Sequence, residues 1–61
     1  MIPKVGDHVK VLGNAPGKNT GCIERIEGDL AYIIYGVKSL DDCALFGVGL
    51  PVAMSRLRLI E

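Results

Sequence analysis

Two cysteines, one histidine, a pair of adjacent aspartates and seven basic residues are the groups in this 61-residue chain that could do chemistry. A thiol nucleophile needs an imidazole beside it to take its proton. His8 is the one imidazole. It sits next to Val9 in a Val-x-Val alternation, so it points away from the face the valines bury. Cys22 and Cys43 then read as small packing groups. They are too few, even with His8, for a four-ligand zinc site. If they joined, a loop of about 20 residues would close, worth roughly 3 kcal/mol. In a reducing cytosol they stay thiols. Asp41-Asp42 lacks the alternating oxygens of a calcium loop and reads as a solvated loop or a helix-starting pair. Gly17-Lys18-Asn19-Thr20 lacks the spacing of a phosphate-cradling loop. No catalytic, cofactor-binding or metal-ligating residue is assigned, and no cofactor is expected.

The basic residues offer a different chemistry, contact with phosphates. Candidates are Lys4, Lys10, Lys18, Arg25, Arg56 and Arg58. His8 and Lys10 share one strand face, and Arg56 and Arg58 share one near the end of the chain. If the terminal strands pair, His8, Lys10, Arg56 and Arg58 form a patch for nucleic acid. Two features oppose it. Seven basic residues balance seven acidic ones, so the formal charge is zero and there is no global attraction to a polyanion. Single-stranded recognition also uses stacking aromatics, and the chain has two tyrosines, one phenylalanine and no tryptophan.

These residues must be positioned by short elements. Eight glycines and three prolines are spread along the chain, cutting it into pieces too short for ordinary helices. Five pieces read as strands: residues 7–12, 21–27, 30–35, 43–50 and 56–60. In the second, Ile23 and Ile26 are three apart, which breaks the alternation and predicts a bulge. Glu27-Gly28-Asp29 reads as a tight turn. Residues 51–55 read as one helical or 3₁₀ turn opened by Pro51. At this length one domain, residues 1–61, is expected. Five short strands with one small turn before the last predict an all-β fold, a strongly bent barrel whose closure protects its edges.

Residues 6–26 carry a resemblance. Gly6-Asp7-His8-Val9-Lys10-Val11 followed by Gly17-Lys18-Asn19-Thr20-Gly21 resembles the KOW motif of SH3-like barrels in ribosomal proteins and transcription elongation factors. That resemblance implies a five-stranded SH3-like barrel and contact with nucleic acid or the ribosome. Leu50-Pro51-Val52-Ala53-Met54 with Leu57-Arg58-Leu59-Ile60 is similar to the close of the plasmid-encoded type II dihydrofolate reductases, SH3-like barrels that work as tetramers around one pore. Their Val-Gln-Ile-Tyr pore motif is replaced here by Gly47-Val48-Gly49-Leu50. The resemblance therefore implies fold and a tendency to oligomerise, without a catalytic residue.

The third strand carries the remaining signal. Ala31, Ile33 and Tyr35 line one face, and Leu30, Tyr32 and Ile34 line the other, so both faces are apolar. A small barrel has one interior, and the second face needs cover from the chain itself or from a partner. Leu30, Tyr32 and Ile34 are the candidate interface. The opening residues lack the apolar stretch of an export signal. The longest apolar run, residues 30–35, is far short of the roughly 20 that span a bilayer. A cytoplasmic protein without a membrane partner is expected. The reading is a small non-enzymatic module acting through protein contacts and self-association. A KOW-like nucleic-acid or ribosome-binding module is the alternative, and an oligomeric pore enzyme similar to the type II reductases is a second alternative.

Overall fold

A computed structural model describes residues 2–39 and 49–60. Among the described residues five strands form one sheet: β1 His8–Val11, β2 Thr20–Glu27, β3 Leu30–Tyr35, β4 Leu50–Ala53 and β5 Leu57–Leu59. Their order is β4-β3-β2-β1-β5, and every neighbouring pair is antiparallel. A 3₁₀ turn, Met54–Arg56, precedes the last strand. The all-β expectation and the late 3₁₀ turn hold. Closure into a barrel does not: β4 and β5 are the two edges of an open sheet. The chain passes from one edge to the other through the 3₁₀ turn, so a helical turn stands between them in place of a hairpin ladder.

The bulge forms where the isoleucine spacing predicts it. Ile23 pairs with Ile33, and the next pair is Arg25 with Tyr32, so Glu24 is the extra residue on β2. That insertion lets Ile23 and Ile26 both reach the main core while Arg25 crosses to the other face. The β2–β3 turn is Gly28-Asp29, with Gly28 at φ +58°, as a two-residue hairpin with glycine first requires.

The main core is Val9, Val11, Ile23, Ala31, Ile33, Val52 and Leu57, with Tyr35 and Leu59 packed around it. On the opposite face, Cys22, Ile34 and Val37 make a second, smaller buried cluster. Cys22 is fully buried there, with its Sγ 3.8 Å from the Ile23 carbonyl oxygen, and Cys43 lies outside the described residues.

The strand expected over 43–50 falls mostly on residues 43–48, outside the described residues. Its last residue, Leu50, opens a strand that runs on over Leu50–Ala53, where a turn is expected. The helical turn shifts to Met54–Arg56, and Arg56 leaves the last strand. A proline fits either a helix start or a sheet edge, because both tolerate a missing N–H. The ladder decides between them. The Met54 N–H donates to Asp29 O at 2.8 Å, which makes Tyr32 and Pro51 a pair without mutual hydrogen bonds. The Pro51 nitrogen therefore faces outward at the edge.

The other edge is also occupied. The Ile60 N–H donates to His8 O and the Leu12 N–H to Arg56 O, so the backbone of Leu57 faces away from β1. Its N–H donates to Met54 O, and its carbonyl accepts from the Arg58 guanidinium at 2.8 Å.

Gly21 leaves no room for a side chain between β2 and β3. A Cβ there would collide with the Ile34 carbonyl oxygen and lie 2.8 Å from Ile33 Cγ2. Gly21→Ala should therefore cost about 1–3 kcal/mol or more, read as a lower urea midpoint. An unchanged midpoint would mean that the two strands do not approach this closely.

Candidate functional site

The bulge and the β3–β4 register build one surface, on the face opposite the main core. Arg25, Tyr32 and Pro51 stand side by side across β2, β3 and β4. Glu27, Leu30 and Ala53 form the adjacent row. Directly opposed residues on an antiparallel pair project to the same side, so these six side chains form a patch three strands wide.

Its centre is Tyr32. The Arg25 guanidinium carbon lies 4.0 Å from the centroid of the Tyr32 ring, a geometry worth about 0.5–1 kcal/mol at an exposed site. Arg25 Nε also lies 3.0 Å from Glu27 Oε2, with both side chains more than half exposed. Such a pair contributes little to folding on its own. Below, the backbone of buried Gly49 seats the root of the tyrosine. A Cβ on Gly49 would come 2.9 Å from Tyr32 Cβ and 3.0 Å from Glu24 Oε1. Tyr32 is held between a cation and a backbone and is only half-buried.

The three residues expected to form an interface divide. Leu30 is 40% exposed, and Tyr32 is half-buried. Ile34 is 4% exposed and belongs to the cluster with Cys22 and Val37, so the chain covers it. Arg25, Glu27 and Pro51 join the patch beyond the residues that sequence pattern selects. The broken alternation in β2 carries the signal for Arg25, because an extra residue at Glu24 moves it to the face of Tyr32.

The four basic residues divide as well. Lys10 lies directly between Thr20 on β2 and Arg58 on β5, and His8 follows two residues away on the same face. Arg56 is elsewhere. Its Nε donates to Leu12 O at 3.0 Å and its terminal nitrogen to Asn14 Oδ1 at 2.9 Å. Asn14 Nδ2 donates in turn to the Tyr35 hydroxyl and to Lys18 O. Arg56 is thus a clasp on the β1–β2 loop, joining its two ends to β3. The tip of that loop is a Pro16-Gly17 turn closed by the Lys18 N–H on Ala15 O.

His8 and Cys22 are cross-strand partners, so imidazole and thiol share a face that the valine alternation alone does not assign to the cysteine. Cys22 is fully buried. Asp41-Asp42 and Gly47-Val48 lie outside the described residues. Among the described residues no group of three or more His, Cys, Asp or Glu could hold a metal ion. No described helix is long and apolar enough to cross a membrane.

Comparison with protein-family models, with curated proteins and with solved structures returns no match. The residues themselves carry the functional reading.

The clasp makes a testable claim. Arg56→Ala should cost about 1 kcal/mol and speed amide exchange at Lys18 and Asn19. Arg56→Lys should not restore protection, because a single ammonium lacks the planar fork that spans Leu12 O and Asn14. Full rescue by lysine would reduce the clasp to a charge effect.

Proposed function

We propose that this chain is a small non-enzymatic binding module that acts through protein contacts and self-associates through the face centred on Tyr32. The observation that supports this reading is the contiguity of the patch. Tyr32 has an arginine over its ring and proline beside it, and the next row places exposed Leu30 against Ala53. Tyrosine and arginine are the side chains that dominate protein interfaces, because they present large rigid surfaces with polar ends. Residues of this kind, side by side and open to solvent, stabilise a partner's approach more than they stabilise the fold.

Sedimentation equilibrium over a wide concentration range tests the reading. The average mass should rise from monomer toward a multiple, and Tyr32→Ala should raise the dissociation constant at least about tenfold while leaving the far-UV spectrum intact. Ile34→Ala should act differently, lowering stability as a buried residue does. A monomer mass at every concentration would defeat the proposal.

A second reading keeps the KOW resemblance. Its support is the direct cross-strand neighbourhood of Lys10 and Arg58, with His8 beside them. Fluorescence anisotropy with a labelled RNA at low salt tests it. Binding should fall steeply as salt rises, and Lys10→Ala with Arg58→Ala should abolish it. Arg56→Ala should matter less, since Arg56 reaches away to the β1–β2 loop, whereas Arg58, which donates locally to the Ser55 and Leu57 carbonyls, stays beside Lys10. No change in anisotropy at low salt would end this reading.

A further inference from the structure

From the two rows of the patch we infer that two copies of this chain meet face to face about a two-fold axis, with Arg25 of each copy set against Glu27 of the other. The inference rests on the self-association reading above and adds the arrangement. Consider the patch as a grid. One row reads Arg25, Tyr32, Pro51, and the next reads Glu27, Leu30, Ala53. A two-fold axis running between the rows, across the strands, lays each row of one copy on the other row of its partner. Arg25 then meets Glu27, Tyr32 meets Leu30, and Pro51 meets Ala53, each contact occurring twice. A closed isologous contact needs this kind of self-complementarity. The alternative axis, along β3, sets Arg25 against Pro51 and stacks each central residue on its own copy. It leaves both charges without an opposite partner across the contact, so charge selects the first axis.

The ion pair within the chain fits this arrangement. Arg25 Nε and Glu27 Oε2 already lie 3.0 Å apart with more than half of each side chain exposed. Both groups therefore keep open surface for a second partner. Across the axis two such pairs combine into a ring of four alternating charges. The ring orients the copies, and the Tyr32–Leu30 contacts supply the apolar burial at its centre. Electrostatic complementarity of this sort sets register more than it sets affinity.

Charge reversal separates this arrangement from self-association in general. Analytical ultracentrifugation compares the unaltered chain, Arg25→Glu, Glu27→Arg, and the double variant Arg25→Glu with Glu27→Arg. Each single variant should raise the dissociation constant at least about tenfold, because like charges then face one another across the axis. The double variant should regain most of the lost affinity, and association should weaken as salt rises. Circular dichroism checks that each variant remains folded, as expected for exposed positions. If the unaltered chain associates and the single variants associate equally well, the two-fold pairing is wrong while self-association stands. Failure of the double variant to recover would overturn the pairing in the same way. If the unaltered chain stays monomeric, both fall together.

Discussion

The extra residue on β2 at Glu24 governs what each side of this sheet presents. Without it, strict alternation from Ile23 would carry Arg25 into the core and turn Ile26 outward. With it, Ile23 and Ile26 both face the main core, and Arg25 lies over the Tyr32 ring. One inserted residue thus satisfies the core and creates a polar partner for the aromatic on the far side. The bulge also carries Glu24 toward Gly49, where a side chain would strike Tyr32. The main core, the Arg25–Tyr32 contact and the seat beneath the tyrosine all depend on the same register shift.

The outer face is divided between two kinds of neighbour. Toward β1 and β5 it carries Lys10, His8 and Arg58, the last donating to the Ser55 and Leu57 carbonyls. Toward β3 and β4 it carries Tyr32, Leu30, Pro51 and Ala53, edged by the Arg25–Glu27 pair. Between them Cys22, Ile34 and Val37 are buried. A covered strip separates a basic region from an apolar one. Arg56 lies outside both. Its two hydrogen bonds hold the β1–β2 loop to the 3₁₀ turn, converting a charge that sequence pattern groups with Arg58 into a structural tie.

Sequence pattern makes the first three strands, the bulge and the two faces of β3 legible, because each rests on local periodicity and on turn residues with one good use. The expected ends of β3 coincide with the observed ones. The strand Leu50–Ala53 is read as a turn by sequence pattern because Pro51 suits a helix start and an outward-facing edge position equally well, and only pairing with β3 distinguishes them. Barrel closure is expected from the number of short strands, from the need to protect edges and from the SH3-like resemblances, yet closure depends on how β4 and β5 meet in space, a non-local property. Leu30 and Tyr32 are legible as surface for the same local reason that β3 is. Ile34 is not, since its cover depends on which residues approach it across the fold. Arg25 is implied by the bulge but needs the register to be placed on Tyr32.

The two edges of the open sheet bear on what sort of assembly the chain can enter. At one edge proline has no hydrogen to offer an incoming strand. At the other an arginine holds the carbonyl such a strand would need, and the adjacent N–H is spent on the 3₁₀ turn. Growth by adding extended chains end after end is therefore discouraged at both margins. A molecule arranged in this way can crowd with its own kind without its margins templating a filament.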